Sequence, residues 1–180
     1  MHREPLLNLL ERYLQRWPDE LVVVERFREL IQGHTSCFER DCWAGHITGS
    51  AWLVNRSGDQ VLLTHHRKLE RWLQLGGHSD GEPDTILAAR REAEEESGLA
   101  VELLDEVPLD LDVHLIPARR KDPAHHHYDV RFAFKVVGSE DFAVSHESLD
   151  LAWVPIVEMS AYTSEESVLR MARKWLGTHI

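Results

Sequence analysis

The sequence predicts an α/β (α+β) sandwich, a mixed sheet with helices packed on it, preceded by a helical hairpin. Three observations carry that reading. The chain has 180 residues, 43% of them hydrophobic, which suits one globular core at a size that buries roughly 70% of the unfolded surface. Its first residues repeat apolar side chains at helical spacing. From residue 46 onward, short β-branched runs alternate with helical segments, an order that builds layers of sheet and helix.

Taken in order, Leu6, Leu10, Tyr13 (or Leu14) and Trp17 recur at helical spacing until Pro18 interrupts them. Pro18 suits the first turn of a second helix, where its missing N–H costs nothing. That helix carries Val23 or Val24, Phe27, Leu30 and Ile31 on one face and ends near Gly33. Residues 1–38 are therefore expected to form a helical extension, packed on a main domain at 39–180 or offered to a partner subunit in a homodimer. Residues 46–55 and 60–65 read as strands of a hairpin, turned by Arg56-Ser57-Gly58-Asp59. A helix is expected at 84–97, between Gly81 and Gly98. Further strands are expected at 101–104, 109–116, 128–137 and 151–154. A last helix starts near Ser164, where Thr163 and Glu166 fit a capping box, and ends by Gly177.

Charge excludes some functions. Twenty Lys and Arg against 31 Asp and Glu leave a net charge of −11, which disfavours a protein that coats nucleic acid, because such binding needs cations on phosphates. A small phosphorylated substrate stays compatible if a cation lies between the two negative partners. The N-terminal leucines are broken by Glu4, Asn8, Glu11 and Arg12, so no apolar signal region appears. No apolar run approaches the roughly 20 residues that span a bilayer. The two cysteines, Cys37 and Cys42, make no disulfide framework. A cytoplasmic protein with no membrane partner is the expectation.

Residues 80–96 hold seven acids against two arginines, a local net charge of −5. On a helix at about 100° per residue, Glu92, Glu95 and Glu96 share an arc of about 100°. Ile86, Ala89, Ala93 and Ser97 form a narrow small-residue stripe that can pack on a sheet. An ordinary charged surface helix is the bland alternative. Against it, like charges at i,i+3 and i,i+4 cost about 0.2–0.5 kcal/mol per pair. Acids in the last turn also face the negative end of the helix dipole, at about 0.3–1 kcal/mol each. Oxygen ligands gathered at that strained end suit a hard divalent cation, magnesium or manganese.

The segment GGHSDGEPDTILAARREAEEESGL resembles the Nudix box, G-x5-E-x7-R-E-U-x-E-E-x-G-U. Gly77, Arg91-Glu92-Ala93, Glu95-Glu96 and Gly98-Leu99 match, while Pro83 stands where the pattern has its first glutamate. The resemblance implies a Nudix-type α/β/α sandwich covering residues 40–177. It also implies magnesium- or manganese-dependent hydrolysis of a diphosphate linkage in a nucleoside diphosphate joined to another moiety. Carried onto this chain, Glu92, Glu95, Glu96 and the Gly77 carbonyl become metal ligands, and Arg91 holds a glutamate in place. The general base is a box glutamate, Glu95 among them, or one on a later loop, for which Glu147 is the candidate.

His78 directly follows Gly77 and is a candidate substrate contact, as are Arg119 in a basic cluster, and His127 and Arg131 on a later strand. Alternation there puts Tyr128, Val130 and Phe132 on one face and Asp129, Arg131 and Ala133 on the other. Two rival functions remain. One is a nucleotide-binding module that does not hydrolyse, suggested by Pro83. The other is a zinc protein using His34, Cys37, Cys42 and His46, whose C-x4-C spacing sits at the edge of the structural zinc pattern.

Overall fold

The computed structural model describes residues 2–67, 70–119, 121–144 and 148–179. The chain opens with α1 (Glu4–Arg16) and α2 (Leu21–Gly33), joined by a 3₁₀ turn that Pro18 begins. Leu6, Leu10 and Tyr13 are buried on α1, and Val24, Phe27, Leu30 and Ile31 on α2. These side chains share one core with Ile47, Leu53, Val130 and Phe132 of the sheet. The hairpin therefore packs on the domain, the first of the two arrangements expected for it.

The sheet contains β1 (His46–Val54), β2 (Gln60–His66), β3 (Arg71–Leu73), β4 (Leu75–His78), β5 (Ala100–Leu103), β6 (Asp110–Ile116), β7 (His125–Val137) and β8 (Ser148–Pro155). It is mixed because β1 and β7 run parallel, from His46 beside His127 to Val54 beside Lys135. The other described pairings are antiparallel. A parallel pair needs a long crossover, and the intervening chain supplies it with α3 (Thr85–Ser97). On its other side β1 pairs with β4, Gly49 opposite Gly77 and Thr48 opposite His78.

Alternation along β1 feeds two cores. Ile47, Ala51 and Leu53 face α1, α2 and α3. Trp52 and Val54 face α5 (Glu166–His179), where they meet Val168, Met171, Ala172 and Trp175. The result is the expected α/β/α sandwich. The approach of α3 to the sheet is set by Gly49, where a Cβ would lie 2.8 Å from the Ala89 amide nitrogen and 3.0 Å from the Thr85 carbonyl.

Several element bounds differ from expectation. The sequence reading misses β3 and β4, because three residues and a Gly76-Gly77 pair give no period-2 pattern. Strand β7 begins at His125 and so brings three consecutive histidines into the sheet. The last helix starts at Glu166 and continues past Gly177 to His179. Thr163 accepts from the Glu165 amide at 3.1 Å, a turn ahead of the helix in place of the capping box. Among the described residues no helix is long and apolar enough to cross a membrane.

Candidate active site

Asp84 starts α3. Its Oδ1 accepts from the Ile86 and Leu87 amides at 3.0 and 3.2 Å, satisfying two of the four orphan donors of a helix N-terminus. Pro83 precedes this cap. Gly98 ends the helix at φ 70°, and its amide donates to the Glu94 carbonyl at 2.8 Å. That left-handed conformation is where glycine has no Cβ penalty. The buried stripe is Thr85, Ala88, Ala89, Ala93 and Ser97, with Ile86 only half-buried.

The acids at the far end of α3 are not equivalent. Glu94 and Glu95 are exposed and Glu96 is half-buried, whereas the Glu92 side chain is 17% exposed. The Glu92 carboxylate lies against Gly77, where any Cβ would collide with it. Arg91 Nη2 donates to the His78 carbonyl at 2.6 Å and to Glu92 Oε1 at 3.1 Å, tying α3 to β4. Burial raises the Glu92 pKa, Arg91 opposes it, and the charges of Glu95 and Asp80 add to it. Gly77, Arg91, Glu92 and the backbone of His78 thus converge, with Glu95 near enough to act on Glu92. Glu92 and the Gly77 backbone offer oxygen donors, the chemistry that a hard cation takes.

The opposite face of the sheet gathers histidines. His46 and His127 are neighbours across β1 and β7, His114 lies opposite His127 on β6, and His78 is on β4. Ring centroids are 4.7 Å apart for His46 and His127, 4.8 Å for His46 and His125, 5.2 Å for His46 and His78, and 5.0 Å for His78 and His127. Burial, with neighbouring imidazoles, lowers the His127 pKa to about 2 and that of His46 to about 4. His78 is also lowered to about 4, by burial and then by Arg40. The rings are neutral at neutral pH.

Arg131, expected at the substrate, lies elsewhere. It is 2% exposed and bonds Asp129 at 2.7 Å, Asp110 at 3.2 Å and Asp112 at 3.3 Å. Arg170 bonds Asp110 at 2.7 Å and Asp112 at 2.9 Å, and Lys174 bonds Asp110 at 2.8 Å and Glu20 at 2.6 Å. Lys174 Nζ also donates to the Tyr13 hydroxyl at 2.7 Å. This network pins α5 and the N-terminal helices to the sheet, so the Arg131 guanidinium is saturated by carboxylates. His127 faces other histidines. Arg119 is exposed in the loop from β6 to β7, closed by reciprocal backbone bonds with Asp122 at 2.9 and 2.8 Å, at the same end of the sheet as the histidines. Glu147 lies outside the described residues.

The cysteine reading is corrected. Cys37 and Cys42 are buried and free, and burial pushes the Cys37 thiol up to about 11. Among the described residues the converging group of His, Cys, Asp or Glu ligands is His46, His125 and His127. His34 and the cysteines do not belong to it. His46 was in the motif considered, but its companions come from β7. A surface depression of about 810 Å³ is lined by Arg56, Lys135, Gly138 and Asp141, at the other end of β1 and β7.

A family model described as NUDIX domain matches residues 46–175, a span that leaves out α1 and α2. A NUDIX family hydrolase from Clostridium perfringens superposes with a TM-score of 0.60 and 22% identity, covering 74% of this chain and 98% of that one. An Ap4A hydrolase from C. elegans gives 0.59 and 17%, covering 73% and 96%. An E. coli dihydroneopterin triphosphate pyrophosphohydrolase gives 0.57 and 14%, covering 73% and 95%. These identities speak for the shared fold. No curated protein matches the chain by sequence.

Proposed function

Because this chain belongs to the NUDIX domain family of phosphoanhydride hydrolases, we propose that it cleaves the diphosphate linkage of a nucleoside diphosphate joined to another group, or of a related small phosphorylated molecule, with magnesium or manganese. The observation that carries the reading is the half-buried Glu92 carboxylate seated on Gly77 and held by Arg91, which also holds the His78 carbonyl. Glu92, Glu95, Glu96 and the Gly77 carbonyl would hold the cation. When bound there, it neutralises phosphate oxygens, stabilises charge on the leaving phosphate and lowers the pKa of water.

The chain's own residues do the rest. Arg91 positions Glu92 through a charge-assisted bond, which fixes a carboxylate more firmly than packing alone. Glu95, exposed at the helix end, or Glu147, takes the proton of the attacking water. Arg119, exposed at the histidine end of the sheet, is the candidate phosphate contact, whereas the His78 ring turns toward His46 and His127 and only its carbonyl meets Arg91. Pro83 alters only the turn ahead of the Asp84 cap, so the glutamates at the far end of α3 keep their places. That favours hydrolysis over binding alone.

The test is a panel of sugar nucleotides, ADP-ribose, dinucleoside polyphosphates, nucleoside triphosphates and CDP-alcohols. Each is incubated with magnesium or manganese, and again with EDTA. Release of phosphate-containing products from at least one class, abolished by EDTA, is expected. Binding without turnover across the whole panel would instead support the non-hydrolytic module.

A further inference from the structure

We propose that His46, His125 and His127 form a second metal site, for a borderline divalent transition ion such as zinc, with His78 as its fourth ligand. The site is separate from the carboxylates of α3 and does not rest on the hydrolytic reading. Its three ligand nitrogens all lie within 4.8 Å of one another. His78 stands next to them, its ring centroid 5.2 Å from His46 and 5.0 Å from His127.

The second observation is an unmet need. His46 is 1% exposed, and neither of its ring nitrogens makes a hydrogen bond of normal geometry, although the Cys42 backbone lies near the ring. A buried polar group left so costs about 1–3 kcal/mol. Apolar side chains at these positions would avoid that cost, and the same strands supply them in quantity a few residues further on. A metal ion satisfies the His46 nitrogen and explains why imidazoles converge on it.

Ligand chemistry selects the ion. Imidazole nitrogen suits zinc, cobalt, nickel or copper, whereas magnesium and calcium require oxygen donors. Zinc–nitrogen bonds of about 2.0–2.1 Å place tetrahedral ligand nitrogens about 3.3 Å apart. The present spacing, up to 4.8 Å, is wider than that, so binding requires the rings to turn toward the ion.

The surroundings also orient the ligands. His125 Nδ1 lies 2.8 Å from the Pro123 carbonyl. A carbonyl only accepts, so Nδ1 carries the proton and Nε2 is the nitrogen left to bind, the arrangement common behind metal-bound histidines. Behind His127 stands His114, its ring centroid 5.5 Å away and its Nδ1 3.0 Å from Asp112. Trp43 covers the outer side of His125 edge-on at 5.3 Å. His78 links the two regions, because its carbonyl accepts from Arg91 while its ring faces His46 and His127.

The experiment uses the full chain, purified without an immobilised-metal resin, stripped with a chelator and desalted. It is titrated with zinc alone and with cobalt alone, in excess magnesium. Bound metal is measured by elemental analysis after gel filtration, and cobalt coordination by visible absorption. One zinc per chain retained through the column is expected, with a cobalt spectrum of nitrogen ligation. His125→Gln and His46→Ala should weaken zinc binding by more than the roughly 10–100-fold typical of outer-shell changes. Cys37→Ala and Glu95→Gln should bind as the parent does. If His46→Ala does not fold, His125→Gln, checked by circular dichroism, decides the matter. Failure of the parent protein to retain zinc overturns the site, as does undiminished binding by the folded His125→Gln variant. Loss of zinc in Glu95→Gln would likewise overturn it by moving the metal to the carboxylates.

Discussion

The far end of α3 and the α5-facing side of the sheet hold charge in opposite ways. On α3, Glu94 and Glu95 are exposed and Glu96 is half-buried, at the end of the helix that least favours them. On the sheet, Arg131 is 2% exposed and Asp110 fully buried, and each is bonded by oppositely charged groups. The first arrangement leaves its repulsion standing; the second cancels charge internally. The first is what the proposed cation site would need, while the second holds the helices on the sheet. The histidine cluster is largely buried like the network but is built of like rings in place of opposite charges.

The largest expected effect breaks the saturated side. Arg131→Met removes the cation shared by Asp129, Asp110 and Asp112, and stripping one partner from a buried ion pair costs about 3–5 kcal/mol. Denaturant unfolding should show that loss; a midpoint unchanged from the parent would mean the network contributes nothing. Acid gives a second view of the same network. Burial opposes ionisation of Asp112, but the His114 hydrogen bond, Arg131 and Arg170 outweigh it, so its carboxyl titrates well below the usual range. A depressed folded pKa stabilises the protein above the unfolded value of about 3.9, and that contribution disappears as pH falls below it.

The same contrast explains what the sequence could tell. The segment that resembles the Nudix box is contiguous from Gly77 to Leu99, so helical arithmetic alone puts Glu92, Glu95 and Glu96 on one arc. Small residues at Ala89, Ala93 and Ser97 mark the packed side of that helix, and all three are buried. The histidine cluster draws on β1, β4 and β7, and only the parallel register of β1 and β7 sets His46 beside His127. No local pattern states that register. Alternation correctly puts Arg131 on one face with Asp129 and Ala133, but it gives the face and not the depth. What covers that face is α5, some thirty-five residues further along the chain.

An intermediate effect should appear at the unsaturated end, with opposite signs in two measurements. Glu95→Gln removes a charge that acts on Glu92 and that faces the negative end of the helix dipole. Stability should therefore stay level or rise by about 0.3–1 kcal/mol. Turnover should fall roughly a hundredfold, since loss of about 3 kcal/mol of transition-state stabilisation corresponds to that factor. Thermal unfolding and steady-state kinetics on the same preparation separate the two. Equal turnover would remove Glu95 from the reaction, and a loss of stability would make it structural.

The smallest effect lies at the start of the same helix and asks whether its two ends are independent. Asp84 accepts from the Ile86 and Leu87 amides, so Asp84→Ala orphans both donors at a cost of about 1 kcal/mol. For a chain of this size that lowers Tm by about 2–4 °C. The far end is fixed separately, by Arg91 on the His78 carbonyl and by the left-handed Gly98, while Ala89 and Ala93 keep the middle turns on the sheet. Fraying of the first turn should therefore leave Glu92 seated on Gly77. The expected outcome is a lower Tm with kcat and the magnesium requirement unchanged. A drop in kcat as large as that of Glu95→Gln would mean that the cap also aligns the glutamates, and that Pro83, its neighbour, stands within the working part of the site.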